Sequence, residues 1–231
     1  MNTAVILAGG VGSRMGLDCP KQFLMVHDKP IISYCLDIFQ KHGEIDNIVV
    51  VVSPQWQEFV EEYTQKYGVD KIRGYAPAGE SRQHSIYNGL KRIAESCPDT
   101  DIVIIHDAAR PLVSDEIISE CIKGAKEHDG AMPVITVKDT VYQSADGAKI
   151  DCLLKRSELF AGQAPESFKF KKYYQIHNEV SDEEIGATAG SSEIAYRHGM
   201  EIRMVNGSER NLKITTIEDL ETFETILKGE I

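Results

Sequence analysis

The sequence predicts an α/β fold: a mostly parallel, twisted sheet with helices on both faces, from which a β-hairpin arm protrudes. Three observations carry this. Short apolar runs at residues 4–7, 48–52 and 102–105 have the length and β-branched content of strands buried on both faces. Segments with helical spacing separate those runs, as a parallel sheet requires. After Thr136 the alternation gives way to a polar stretch centred on Ala145-Asp146-Gly147, a turn between two short extended runs.

In chain order, the strand at 4–7 ends in a glycine cluster. A helix follows at 31–39, entered through Pro30. The second strand, 48–52, leads to a helix at 56–67, and a further helix spans 81–94 with Ile86, Leu90 and Ile93 on one face. The third strand, 102–105, precedes a helix opened by Ser114 with Asp115 and Glu116 in its first turn and running to Ala125. The hairpin arm occupies 140–153. Beyond it, the chain returns through 160–168, a helix near 171–177, a segment near 191–197, and expected strands at 202–205 and 212–214. The last helix begins at Thr216, where Thr216-x-x-Asp219 has capping-box spacing.

The 231 residues suit a single α/β domain with one excursion. With 42% apolar residues the chain can bury a core, and no apolar stretch is long enough to span a bilayer. The opening Met1-Asn2-Thr3 leaves no room for a signal peptide before the first strand, so a cytoplasmic location is expected. Cys19, Cys35, Cys97, Cys121 and Cys152 are odd in number and widely spaced, which fits reduced thiols and argues against a zinc site. A net charge of −11 argues against a nucleic-acid polymer as partner, whereas a small anion needs only local positive charge.

The candidate site begins at the first strand's end. Gly9, Gly10 and Gly12 follow Ala8, and glycines leave backbone N–H groups open to a ligand's oxygens. Arg14 and Lys21 add two cations, and backbone donors plus cations suit a polyphosphate. A Walker loop is excluded because no Gly-Lys-Ser/Thr triplet occurs, and Met15 breaks the dinucleotide fingerprint. An ordinary glycine turn with two surface cations is the alternative, and Pro20-Lys21-Gln22 argues against it.

With Pro20-Lys21-Gln22, the loop resembles the signature of the sugar-nucleotide and polyol-phosphate nucleotidyltransferases, within them the cytidylyltransferases that make CDP-methylerythritol or CDP-ribitol. The resemblance extends through Gly79-Glu80-Ser81-Arg82-Gln83-His84-Ser85, His106-Asp107-Ala108-Ala109-Arg110-Pro111, Lys138-Asp139-Thr140, Arg156 with Gln163-Ala164-Pro165, and Asn211-Leu212-Lys213-Ile214-Thr215. It implies a Rossmann-like nucleotidyltransferase fold, CTP and a small polyol phosphate as substrates, and Mg²⁺ as cofactor. It also implies a homodimer whose arm, at about 138–156, interlocks with the neighbouring subunit so that active sites are shared.

In such a transfer the acceptor phosphate attacks the α-phosphorus and pyrophosphate leaves. The nucleophile is already an anion, so the work is alignment and charge neutralisation. The resemblance assigns Arg14, Lys21 and Lys213 to the reacting phosphates; an exposed strand cation is the alternative for Lys213. Ala8, Gly9, Gly10, Gly12, Gly79, Arg82, Ser85, Asp107 and Ala108 fall to the nucleotide, with Gly79 and Ser85 at the cytosine edge. Ser85 also reads as an ordinary helix-start residue, and Arg82 as a solvated one. Asp107, at the C-terminal end of a central strand, is the candidate for ribose or Mg²⁺, with a turn cap as its alternative. His106 reads as a packed residue, since this chemistry needs no base. Arg110, Thr140 and Arg156 fall to the acceptor, where a guanidinium fork suits a phosphate.

Two departures bear on that acceptor. Ala164 stands where the family usually has threonine, and Thr188-Ala189-Gly190-Ser191-Ser192 replaces a segment that usually carries two acids. A less selective acceptor site is therefore expected. Lys138-Asp139-Thr140, residues 82–85 and Ala108-Ala109 lean towards 2-C-methyl-D-erythritol 4-phosphate. Ala8-Gly9-Gly10 and Gly162-Gln163 lean towards D-ribitol 5-phosphate. A non-catalytic nucleotide-binding module is the rival from another class.

Overall fold

A computed structural model describes residues 1–10 and 19–229. The chain runs β1 (Asn2–Ala8), a 3₁₀ turn (Lys21–Phe23), β2 (Met25–Val26), β3 (Lys29–Pro30), α1 (Ile31–Lys41), β4 (Asn47–Val52), α2 (Pro54–Lys66), β5 (Ile72–Pro77), α3 (Arg82–Ser96) and β6 (Ile102–Asp107). It continues through α4 (Asp115–Glu127), β7 (Gly130–Thr136), β8 (Tyr142–Gln143), β9 (Cys152–Leu153), a 3₁₀ turn (Arg156–Glu158), β10 (Phe160–Gly162) and β11 (Glu166–Lys169). The last elements are α5 (Phe170–Glu179), α6 (Asp182–Ala187), α7 (Ser191–Arg197), β12 (Ile202–Asn206) and α8 (Ile217–Lys228).

β1 lies between β4 and β6, parallel to both, and β5 extends the parallel side beyond β4. β11 runs antiparallel between β6 and β7, β10 pairs antiparallel with β7, and β12 pairs parallel with β7. The sheet is thus mainly parallel, as expected, with its antiparallel pairs gathered where the chain returns from the arm.

Strand alternation divides the core. Ala4, Ile6, Ile48, Val50, Val52, Ile102 and Ile104 point to one face, where Leu36 and Phe39 of α1, Val60 of α2 and Ile118 and Ile122 of α4 cover them. Val5, Val49, Val51, Val103 and Ile105 point to the other, against Ile86, Leu90 and Ile93 of α3 and Tyr173 of α5. Gly89 lets α3 approach closely, because a Cβ there would lie 2.8 Å from Val5 Cγ1 and 3.0 Å from Val51 Cγ2.

The arm forms as expected: β8 and β9 pair antiparallel, and Asp146 accepts from Ala148 N at 2.9 Å and Lys149 N at 3.2 Å while Gly147 takes φ 71°. Ser114 caps α4, accepting from Ile117 N, and Thr216 and Asp219 form a capping box on α8. The expected strand at 212–214 is not one. That segment joins no ladder; it is held by Ile214 N donating to Ala109 O at 2.9 Å and by Ile214 packing with Phe223 of α8. Several elements lacked a clear sequence signal, β5 and α6 among them. β5 carries Arg73, Gly74 and Pro77, tolerated because it lies at the sheet's end. α6 is six residues long, too short for a periodic pattern, though Ser181 and three following acids mark its start.

Candidate active site

The C-terminal ends of β1 and β6 lie side by side, with Leu7 opposite Asp107, at the place where open α/β sheets put ligands. Gln22 ties down the loop leaving β1, its Nε2 donating to Ala8 O at 2.6 Å and Gly10 O at 2.8 Å. In Pro20-Lys21-Gln22 the glutamine is therefore the structural member, and Lys21 opens the 3₁₀ turn beside it. Gly9 faces the 77–79 segment so closely that a Cβ would lie 2.4 Å from Ala78 Cβ. Gly12 and Arg14 lie outside the described residues.

The segment before α3 folds on itself. Ser85 Oγ accepts from Gly79 N at 2.9 Å and donates to Ser81 O at 3.0 Å, and Ser81 caps the helix. A Cβ on Gly79 would lie 2.4 Å from His84 Cβ, so the turn needs glycine. This loop and Gly9 meet, which joins the glycine-rich loop to the proposed base-recognition segment.

Asp107 is the centre of the charge arrangement. Its Oδ1 accepts from Arg82 Nε and NH2, both at 3.2 Å, and its Oδ2 lies 2.9 Å from Lys213 Nζ and 3.7 Å from Arg110 Nε. Burial alone raises a carboxyl's pKa, but Arg82, Lys213 and Arg110 outweigh it and hold Asp107 well below the usual carboxylate range. Burial lowers the Arg82 guanidinium, and Asp107 and Glu166 more than restore it. At Arg110 burial prevails and the value falls.

Each cation is held from behind. Arg110 NH1 donates to Asn211 O at 2.6 Å, and Asn211 Nδ2 donates to Ala164 O at 2.7 Å. Together with the Ile214–Ala109 bond, this fastens the 211–214 segment over the β6 turn and aims Lys213 at Asp107. Arg82 NH1 donates to Ser191 Oγ at 2.5 Å, fixing the start of α7. Ala108, fully buried, donates its N–H to Leu7 O at 3.0 Å and closes the join between β6 and β1.

Arg82, Asp107, Arg110 and Lys213 line one cavity of about 350 Å³. Glu166 lines it as well, beside Arg82, and the sequence reading missed it. The signal was there: an acid at the head of an otherwise buried strand, Glu166-Ser167-Phe168. A larger cavity of about 530 Å³, between α4 and β12, shares no lining residue with this one. Thr140 and Arg156 do not line the cavity. They sit at the exposed base of the arm, where Arg156 NH1 donates to Lys138 O at 2.7 Å.

No group of three or more His, Cys, Asp or Glu side chains clusters as a metal centre among the described residues. Mg²⁺ does not require one, since it keeps several waters and draws other ligands from substrate phosphates. Asp107, at the cavity's cationic end, is the carboxylate there that would serve as such a ligand. His106 is fully buried, its Nε2 3.1 Å from Arg110 O, and burial pushes its pKa down to about 4. It is the packed residue the sequence suggests.

The sequence profile of the 2-C-methyl-D-erythritol 4-phosphate cytidylyltransferase family matches residues 2–229. The chain belongs to that family. It is 37% identical over 229 residues to the 2-C-methyl-D-erythritol 4-phosphate cytidylyltransferase of Clostridium acetobutylicum, covering 99% of this chain and 98% of that one. It is 33% identical over 234 residues to the ribitol-5-phosphate cytidylyltransferase of Lacticaseibacillus paracasei, with 99% and 98% covered. The structure of 4-diphosphocytidyl-2C-methyl-D-erythritol synthase from Anaerococcus prevotii superposes with a TM-score of 0.82 at 25% identity, covering 99% of this chain and 96% of that one. The protein is a cytidylyltransferase, and the nucleotidyltransferase fold expected from the sequence is the one it has.

A pH prediction follows from the buried imidazoles. His177, bonded to Gln83 and to Tyr173 O, is likewise pushed by burial to about 4. The unfolded chain protonates both near 6.5. Between about 6.5 and 4 the unfolded state binds more protons, so stability falls as pH drops through that window, by at most about 3 kcal/mol per histidine, and gains no further loss from them below it. Imidazole resonances followed by NMR should stay neutral for both residues down to about pH 5. Titration near 6.5 would contradict the packing described.

Proposed function

We propose that this cytidylyltransferase moves CMP from CTP to a short polyol phosphate, 2-C-methyl-D-erythritol 4-phosphate first, with D-ribitol 5-phosphate as the second acceptor. The observation that carries the proposal is the set of Arg82, Arg110 and Lys213 around Asp107, facing one cavity beside the glycine-rich loop. Three fixed cations against two buried carboxylates, Asp107 and Glu166, leave net positive charge for phosphate oxygens. Agreement at Lys138-Asp139-Thr140 and residues 82–85 favours methylerythritol phosphate. The relatives named ribitol-5-phosphate cytidylyltransferase, 33–35% identical over 98–99% of this chain, favour ribitol phosphate as well.

In the reaction, an acceptor phosphate oxygen forms a bond to the α-phosphorus of CTP. The bond from that phosphorus to the oxygen bridging to the β-phosphate breaks, and pyrophosphate leaves with the electron pair. Lys21, Arg14 and Lys213 offset the charge gathering on the α-phosphate and leaving group. Backbone N–H groups of the loop after Ala8 hold the triphosphate, and the Gly79–Ser85 turn meets the cytosine edge. Asp107 is the residue that would hold Mg²⁺, which would supply further neutralisation of the phosphates when bound.

We further propose a homodimer joined through the arm, with Thr140 and Arg156 reaching the partner's acceptor phosphate. Tyr142, Ile150 and Leu153 on the arm are 53%, 63% and 62% exposed, a set of large apolar side chains that a second subunit would cover. All five cysteines are free thiols, which supports a reducing, cytoplasmic setting.

Pyrophosphate release from each of the four nucleoside triphosphates, with a panel of polyol phosphates, tests the activity. CTP should be required, and methylerythritol and ribitol phosphates in competition should differ by less than about a thousandfold, ~4 kcal/mol. Release with a nucleotide other than CTP, or none with any polyol phosphate, would overturn it. Subunit sharing has its own test. Lys21→Ala and Arg156→Ala should each lower turnover a hundredfold or more, ~3 kcal/mol. Heterodimers of the two should recover part of it, whereas inactive heterodimers would place each site within one chain.

A further inference from the structure

The cavity at Asp107 has an acidic end. Glu166 opens β11 opposite Ile105 of β6, and its Oε2 accepts from Ser192 N at 2.8 Å and Ser192 Oγ at 2.5 Å. Its Oε1 has Arg82 NH2 at 3.5 Å, the outer limit of a hydrogen bond, and that nitrogen is already committed to Asp107. Oε1 therefore keeps acceptor capacity. The neighbouring wall is Gly162, Ala164, Ala189 and Gly190, whose side chains neither donate nor accept. Glu193, the other acid lining the cavity, is spent: it accepts from Ala189 N and Gly190 N and pairs with Arg197 at 2.6 Å.

We infer that Glu166 determines acceptor specificity, its carboxylate accepting the hydroxyl hydrogens of the polyol while the acceptor phosphate lies towards Arg110 and Lys213. This rests on the reading of the cavity as the acceptor site. A carboxylate only accepts, and O–H···O⁻ bonds are short and strong. Because the wall beside it is mostly small and apolar and the Gln163 amide is spent on Ser208 and Asn211, the selected feature is a hydroxylated, uncharged chain of either polyol rather than one outline. A site built to bond a hydroxyl rejects the analogue that lacks it, and a fixed anion repels a second anionic group. An acid absent from the 188–192 segment is thus supplied from β11, held by Ser192 of that segment.

The test is Glu166→Gln, whose amide oxygen still accepts from Ser192 while the charge is lost. Initial rates of pyrophosphate release are measured with methylerythritol 4-phosphate, ribitol 5-phosphate and n-butyl phosphate, which has no hydroxyl. The wild type should use butyl phosphate at least a hundredfold less well in kcat/KM. In E166Q, KM for both polyol phosphates should rise tenfold or more, KM for CTP should stay within twofold, and the preference over butyl phosphate should shrink. Should E166Q not fold, Glu166→Asp, which draws the carboxylate back by one methylene, carries the same expectation. An active wild type with polyol KM unchanged in the variant overturns the inference alone. A wild type inactive with every polyol phosphate overturns the functional reading beneath it.

Discussion

A single buried carboxylate holds together parts of the chain far apart in sequence. Asp107 lies at the end of β6. Arg82 comes from the first residue of α3, Arg110 from the turn after β6, and Lys213 from the segment before α8. Without the carboxylate, three cations would face one another at low dielectric, where repulsion is strong. With it, they are fixed and partly neutralised, and an incoming phosphate meets donors already aimed. Such an arrangement provides electrostatic stabilisation without reorganisation at the moment of reaction.

The rest of the site is built to keep that knot in place. Asn211 ties Arg110 to Ala164, Ser191 steadies Arg82, and Ile214 anchors the lysine's segment through its own contact with Phe223. Gln22 does the same for the glycine-rich loop. These supports come from the antiparallel side of the sheet and the last helix, so the return path after the arm matters to the site as much as the first parallel strands do.

What could be read from sequence divides along physical lines. β1, β4 and β6 were legible because strands buried on both faces leave continuous apolar runs, and α4 and α8 because their caps are local. Asp107 and Lys213 were legible as members of spaced motifs. Their mutual contact was not, because it joins positions 106 residues apart. Residues 212–214 show the limit clearly: their alternation looks like a strand, yet what buries Ile214 is α8, not a neighbouring ladder. Glu166 escaped because its meaning depends on Ser192, which only the fold brings to it. Arg82 likewise looks like a surface residue on α3 until Asp107 and Ser191 are placed around it.

Chemical denaturation of Asp107→Asn, with and without pyrophosphate, measures the central carboxylate directly. Removing one partner of a buried ionic group leaves the others uncompensated and typically costs about 3–5 kcal/mol. The variant should lose stability of that size, and millimolar pyrophosphate should return part of it by replacing the missing negative charge between Arg82, Arg110 and Lys213. Stability within about 0.5 kcal/mol of the wild type, with no response to pyrophosphate, would contradict the account.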